Sequence, residues 1–240
     1  TLCNASTGAC DPAEPKNRRS RCGLLLQQWS AAAGMAEEAT TVLIDTSPDL
    51  RLQLAAARPS HIDGVVISHD HADQTNGFDD VRAYFIKQRR TIPVWMDEAT
   101  RATFMQRFGY AFESKGGYSA FVRRADRIAP LVPMLIEGPG DAMEVLPLEQ
   151  DHGFSQSLGF RVGGFGYSND LAAMPEASFA ALGGLDLWIV DTLRETPHPT
   201  HAHLARTLEW VERLKPKHAV LTNMHIDLDY RALKARLPAG

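Results

Sequence analysis

The sequence predicts a mixed α/β protein (α+β) in which two sheets pack together and are covered by helices. Short apolar runs rich in branched residues alternate with turn signals along most of the chain. Helical patterns lie between several of these runs, whereas strands follow one another without a helix around residues 143–168. Two mixed sheets with helices on their outer faces satisfy both observations.

Eight apolar runs are predicted as strands because β-branched residues are frequent in them and turn residues bound them. In chain order they cover residues 24–26, 41–45, 65–67, 93–96, 143–146, 158–162, 187–191 and 219–222. The clearest helical pattern is 201–214, where leucine and valine side chains form one apolar stripe. Weaker helical patterns cover 49–57, 98–108 and 175–182. The irregular span 110–130 predicts a surface excursion, with a mobile flap as the alternative.

The bulk composition is that of an ordinary globular protein. At 240 residues the chain can bury a sizeable core, and we expect a single domain over residues 1–240. The net charge of −4 argues against stable nucleic-acid binding through bulk electrostatics. No apolar stretch approaches the ~20 residues of a membrane span, and the N-terminus lacks the layout of a secretory signal. We therefore expect a cytoplasmic enzyme with no membrane partner.

The three cysteines are Cys3, Cys10 and Cys22, all near the N-terminus. Their odd number and irregular spacing make a poor disulfide framework, and the lack of a C-x-x-C pair weakens a zinc interpretation. We expect buried or loop thiols, and the role of these residues stays open.

A cluster of metal-binding residue types follows the apolar run 64–67. His69, His71 and Asp73 are each two residues apart. Alternate residues of an extended chain project to the same side, so these side chains converge if the strand continues briefly into a tight loop. Two imidazoles and a carboxylate suit a borderline divalent ion such as zinc, manganese or iron. A polar loop with two surface histidines is the alternative for this motif alone.

Further candidate ligands occur where later strands end. His152 follows the strand at 143–148, Asp170 follows a hairpin at 158–168, and His225 follows the last clear strand. Taken singly, each has a structural alternative as a turn cap or a hydrogen-bonded loop residue. Asp45 and Asp191 also end strands, where a carboxylate typically orients a ligand histidine rather than binding the ion.

In this order the motifs resemble the metallo-β-lactamase superfamily over essentially the whole chain. Segments 11–22 and 221–230 are similar to the branch that contains the cyclic phosphodiesterase of phosphonate breakdown. The resemblance implies a four-layer αββα sandwich with the site at one edge, between the sheets. It also implies a hydrolase with one or two divalent metal ions, Mn²⁺ or Zn²⁺. A hydroxide shared by two ions would attack a phosphorus or carbonyl centre.

The resemblance assigns the ligands residue by residue. His69, His71 and His152 are assigned to a first ion, and Asp73 and His225 to a second. Asp170 is assigned as the bridge between the two ions, so that Asp73 and Asp170 count among the catalytic residues.

Two positions depart from the family pattern. Gln74 stands where most relatives carry a histidine ligand, and a neutral amide oxygen is a weaker donor to a borderline ion. The second site is therefore expected to be the weaker one or to suit manganese, and a single-metal enzyme is the alternative. Asn223 stands where many relatives have histidine, and we prefer His225 to it as the ligand.

Phosphodiester cleavage needs an acid that protonates the departing alkoxide. His198, His201 and His203 are the candidates, and the resemblance gives this role to His201. His198 and His203 are candidate phosphate contacts near a helix start, with turn and solvent-facing roles as alternatives. Arg18 and Arg19 belong to a basic run that suits phosphate oxygens, or that packs on neighbouring carboxylates instead.

The leading hypothesis is a metal-dependent phosphodiesterase acting on a small-molecule phosphate ester, either a nucleotide or a sugar phosphate, cyclic forms included. One alternative is an ester, thioester or lactone hydrolase of the same superfamily. Another is a non-catalytic nucleotide-binding relative, and a homodimer is compatible with the sequence.

Overall fold

A computed structural model of the chain describes residues 8–30 and 38–237. Contacts between residues divide the chain into two compact units. We call Cys22–Leu146 the central unit, and Thr1–Arg21 together with Pro147–Gly240 the terminal unit. The single domain over residues 1–240 stays a prediction.

The central unit contains a five-stranded sheet. Its strands lie side by side in chain order: β1 (Leu24–Gln28), β2 (Thr40–Ile44), β3 (Gly64–Val66), β4 (Ile92–Trp95) and β5 (Val122–Arg124). β1 is antiparallel to β2, and all other neighbours are parallel. β2 and β3 are buried along their whole length. Neither strand therefore shows the alternation of apolar and polar residues that is typical of a strand with one face in solvent. β6 (Met134–Ile136) pairs antiparallel with the first residues of β7 (Met143–Asp151).

Four helices belong to the central unit: α1 (Leu50–Ala57), α2 (Ala72–Thr75), α3 (Arg82–Gln88) and α4 (Glu98–Phe108). The side chain of Asp97 caps α4 by accepting from the Thr100 N–H at 2.7 Å. The core includes an aromatic cluster in which the ring of Phe78 lies 4.9 Å from that of Phe104 and 5.4 Å from that of Phe108. This packing holds α4 against the segment that follows β3.

The terminal unit contains the rest of β7 with β8 (Gln156–Val162), β9 (Phe165–Ser168), β10 (Leu187–Asp191) and β11 (His218–Thr222), in the spatial order β7-β8-β9-β10-β11. β8 and β9 form an antiparallel hairpin, while β9, β10 and β11 are parallel. The helices are α5 (Glu176–Ala181), α6 (Leu204–Leu214) and α7 (Tyr230–Lys234). The segment near the N-terminus is held on this unit by Asn17, whose Nδ2 donates to Asp229 Oδ2 at 2.7 Å.

The structure confirms a mixed α/β chain with two sheets, and each of the eight predicted strands corresponds to an observed one. Two strands of three residues, β5 and β6, and the helices α2, α3 and α7 were not predicted. Among residues 8–30 and 38–237, no helix has the length and hydropathy that a membrane crossing requires.

The expectation of cysteine thiols is wrong for one residue. Cys10 is buried and disulfide-bonded. Cys3 lies outside the described residues.

Candidate metal centre

The H-x-H-x-D motif lies directly after β3 in the central unit. His69 is buried, His71 is exposed, and Nε2 of His69 lies 3.0 Å from Nδ1 of His71. Two nitrogens that each bind the same zinc ion at ~2.1 Å are about 3.4 Å apart at tetrahedral angles. The spacing of the two imidazoles therefore fits joint ligation of one ion.

Ser68 links His69 to a buried carboxylate. Asp45 follows β2 with a φ of 63°, in the left-handed region that aspartate tolerates better than most residues. Its Oδ2 accepts from Ser68 Oγ at 2.8 Å, and Ser68 Oγ lies 3.0 Å from His69 Nδ1. Burial raises the pKa of Asp45 to about 7. Asp45 thus supports His69 through Ser68 and not by direct contact.

Asp73 and Gln74 lie on the one-turn helix α2, which His71 precedes in an extended conformation. Gln74 is fully buried and Asp73 is half-buried. Gly77 follows this helix so close to Ser47 that a Cβ at Gly77 would stand 1.9 Å from the Ser47 carbonyl oxygen. Only glycine therefore permits this path of the backbone. The ligand roles of Asp73 and Gln74 stay predictions.

Arg107 of α4 holds the motif in place. Its guanidinium donates to the Asp70 carbonyl oxygen and, at 3.1 Å, to Thr75 Oγ1. Thr75 Oγ1 donates in turn to the His71 carbonyl oxygen at 2.8 Å. Sequence analysis missed Arg107 because it stands 37 positions from Asp70 and belongs to no local pattern.

In the terminal unit, His152 comes directly after β7. Its Nδ1 lies 2.7 Å from the Thr200 carbonyl oxygen. Because a carbonyl oxygen only accepts, Nδ1 carries the hydrogen and Nε2 keeps its lone pair for an ion. Gly153 has a φ of 77°, and a Cβ there would lie 2.6 Å from Thr200 Cγ2. Glycine at this position lets the turn after His152 pack against the segment that leads to His201.

His201 lies before α6, not within its first turn, since His203 is the residue that precedes Leu204 at the helix start. Nδ1 of His201 lies 2.9 Å from Oδ2 of Asp191, which ends β10 and is fully buried. Burial raises the pKa of Asp191, whereas the hydrogen bond from His201 acts in the opposite direction. Asp191 therefore fixes the orientation of the His201 ring.

Asp170 follows β9 with a φ of 52° and is buried. Its Oδ1 accepts from Asn223 Nδ2 at 2.6 Å and lies 3.4 Å from Nδ1 of His201. Asn169 Nδ2 lies 3.2 Å from the other carboxylate oxygen. Asn223 follows β11 with a φ of 59°. A residue in the left-handed conformation therefore stands at the ends of both β9 and β11, the two strands that flank β10.

The structure brings His152, Asp170 and His201 together. One candidate ligand atom from each lies within 4.8 Å of the others. Two imidazoles and a carboxylate form a donor set that fits zinc or manganese. The terminal unit by itself therefore contains three groups suited to a divalent ion, one of which is the predicted general acid.

His225 is not among these three residues. Its Nδ1 lies 2.9 Å from Asp227 Oδ2, and 42 % of its side chain is exposed. In the described part of the terminal unit, Asn223 and not His225 contacts Asp170. The assignment of His225 as a ligand stays a prediction.

The predicted phosphate contacts have different surroundings. Arg19 donates to the His225 carbonyl oxygen at 2.8 Å and to Asn17 Oδ1 at 3.0 Å, whereas Arg18 is exposed. His198 accepts at Nδ1 from the Thr200 N–H at 3.3 Å, and its ring lies 5.2 Å from that of His201. His198 thus borders the candidate metal centre, while Arg19 holds the loop after β11.

Comparison with known proteins decides the family. A family model described as a β-lactamase superfamily domain matches residues 40–226. The chain belongs to this superfamily. A crystal structure described as a new diphosphatase from the PhnP family has a TM-score of 0.81 and 32% sequence identity, covering 95% of this chain and 82% of that one. These matches confirm the predicted metallo-β-lactamase fold and the resemblance to the phosphonate-pathway branch.

More distant matches agree on the fold. The metallo-β-lactamase fold protein YhfI from Bacillus subtilis has a TM-score of 0.66 and 15% identity, covering 93% of this chain and 83% of that one. An octanoyltransferase from Porphyromonas gingivalis is 23% identical over 216 residues, which are 90% of this chain. The chain spans 41% of the length of that relative. The superfamily fold implies divalent metal ions, for which the histidine and aspartate donors described above are suited.

Proposed function

We propose that this chain is a metal-dependent phosphodiesterase that hydrolyses a small phosphate ester, either a nucleotide or a sugar phosphate, cyclic forms included. Support comes from the 32% identical PhnP-family relative, which is described as a diphosphatase, and from the placement of His201. A divalent ion bound at the site would activate a water and offset charge on the phosphoryl oxygens.

The proposed ligands follow the family assignment. His69, His71 and His152 would hold the first ion, and Asp73, Asp170 and His225 would hold the second. Gln74 would make the second site the weaker one. Asn223 orients Asp170 through the 2.6 Å hydrogen bond to its Oδ1.

The pairing of His201 with Asp191 carries the proposal. The buried Asp191 carboxylate accepts from Nδ1 of His201 at 2.9 Å, so Nε2 is the nitrogen left to give a proton to a substrate. A buried carboxylate also stabilises the protonated imidazole that an acid must start from. An alkoxide leaving group needs this proton, whereas a thiolate or carboxylate leaves without strong proton help.

Hydrolysis of a diphosphate bond is the second candidate function, because the 32% identical relative is described as a diphosphatase. A phosphate leaving group departs without strong proton help. The two candidate reactions therefore differ in how strongly their rates depend on His201.

The test is to replace His201 by Ala and compare an alkyl phosphodiester with a p-nitrophenyl phosphodiester. General acid catalysis typically contributes ~10²–10⁴-fold, and we expect a loss of that size in kcat for the alkyl ester. The p-nitrophenyl ester should lose much less, and metal content should be retained. Equal losses on both esters would mean that His201 positions the phosphate or binds metal, and the role of acid would pass to another group.

A further inference from the structure

A cavity of about 590 Å³ borders the turn that carries His152. Asp151 and Gly153, the two chain neighbours of His152, both line it. All lining residues belong to the terminal unit, and its walls include Phe154, Met174 and Pro175. Ligand cavities typically measure ~300–1,000 Å³ and combine apolar walls with a few polar groups. This cavity has no assigned role in the candidate metal centre.

Phe154 is the most exposed large apolar side chain of the described residues, at 96 %. The turn that presents it is held by hydrogen bonds on both sides. Gly153 N–H donates to Asp151 Oδ1 at 2.7 Å, and His152 N–H donates to the Ser155 carbonyl oxygen at 3.0 Å. The backbone at Phe154 is therefore held beside His152 while the phenyl ring faces solvent, where stacking on a planar partner would be favourable.

The charges around the cavity disfavour an anion. Among the described residues that line it, none is lysine or arginine, while Glu149 and Asp151 contribute carboxylates. The Gln156 side chain, whose Nε2 donates to Glu149 Oε1 at 3.1 Å, adds a further acceptor. The cavity therefore offers hydrogen-bond acceptors beside an aromatic ring, which suits an uncharged planar group that carries N–H donors.

We propose that this cavity is the subsite for the organic group of the phosphodiester, that it takes a nucleobase, and that Phe154 stacks on that base. The inference rests on the proposed phosphodiesterase function and makes it specific. It predicts a nucleoside phosphodiester as the preferred substrate class, with the phosphate at the metal ligands and the base against Phe154.

The test uses two phosphodiesters with one leaving group, thymidine 5′-(p-nitrophenyl phosphate) and methyl p-nitrophenyl phosphate. Base–aromatic stacking corresponds to about 5- to 150-fold per base, so Phe154→Ala should lower kcat/KM for the thymidine ester by that range. The methyl ester should change by less than about twofold, because it has no base to stack. Phe154→Trp should retain the preference, and Tyr118→Ala, at another exposed aromatic residue (74 % exposed), should change neither value.

Two outcomes would overturn this inference and leave the proposed phosphodiesterase function intact. One is a wild-type enzyme that hydrolyses both esters with equal kcat/KM, and the other is a Phe154→Ala variant that slows both esters equally. In the second case, a changed oligomeric state of Phe154→Ala would assign the ring to an interface between copies. A metal-loaded wild-type protein that hydrolyses neither ester would overturn the phosphodiesterase function itself and this inference with it.

Discussion

The imidazole of His201 is held by Asp191 through a 2.9 Å hydrogen bond from Nδ1 to a carboxylate buried at the end of β10. The same nitrogen lies 3.4 Å from Asp170 Oδ1, so the predicted acid stands beside a predicted metal ligand. Asp191 makes the shorter of these two contacts and is expected to orient the ring, which gives the first prediction.

Asp191→Asn should lower turnover of an alkyl phosphodiester by about 10²–10⁴-fold, because an amide no longer fixes the ring or favours its protonated form. Turnover of a p-nitrophenyl ester should fall much less. Steady-state kinetics on the two esters measures the difference. The control is Asp186→Asn just before β10, where the carboxylate is 62% exposed and paired with Lys217. Equal effects of the two variants on turnover would contradict a positioning role for Asp191.

Replacing His71 by Ala should remove metal and activity together, because a proposed first-site ligand is lost. Metal analysis of the purified variant measures this. His218→Ala, at an exposed histidine that begins β11, should retain both. Full metal occupancy in His71→Ala would contradict the assignment.

Gln74→His should tighten binding of the second ion, because imidazole is a stronger donor than an amide oxygen to a borderline ion. Titration calorimetry with Zn²⁺ on the wild type and the variant tests this. An unchanged affinity would mean that the fully buried Gln74 side chain points away from the ion.

Asn223→Ala should weaken metal binding by about 10–100-fold, because Asp170 loses the hydrogen bond that orients its Oδ1. Competition with a chromophoric chelator gives the affinity. The matched variant is His225→Ala, whose imidazole contacts Asp227. If the Asn223 variant binds metal as tightly as the wild type does, Asn223 has no orienting role. If only the His225 variant loses metal affinity, the result would support the family assignment of His225.

The packing of the N-terminal segment should depend on pH through Asp229. Hydrogen bonds from the Ala232 and Asp11 N–H groups and from Asn17 lower its pKa from 3.8 to about 2. The folded-state pKa is the lower one, so the stabilisation is present above pH 4 and is lost as the pH falls toward 2. Asp229→Asn should therefore be less stable than the wild type at pH 7, with a difference that shrinks toward pH 2 in urea unfolding. A difference that stays constant over this range would contradict the prediction.

Sequence analysis predicted the strands that carry the site because their apolar runs are buried along both faces, as in β2 and β3. It missed β5, a three-residue strand with two exposed arginines, because such a strand has neither an apolar run nor alternation. Local spacing was enough to predict that His69 and His71 converge.

Contacts between distant positions were not predictable in the same way. Arg107 reaches Asp70 through tertiary packing, and no local pattern marks it. The hydrogen bond from Asn223 to Asp170 was likewise not predicted, because it depends on the left-handed backbone conformation of Asn223. The assignment of His225 as a ligand stays a prediction.

The most direct test of the phosphodiesterase assignment is to measure metal content and phosphodiester turnover on the same purified sample, before and after chelation. We predict bound divalent metal, turnover of the thymidine phosphodiester that chelation abolishes, and recovery when Mn²⁺ or Zn²⁺ is added back. Turnover that persists in metal-free protein, or a fully metal-loaded protein with no phosphodiesterase activity, would contradict the account.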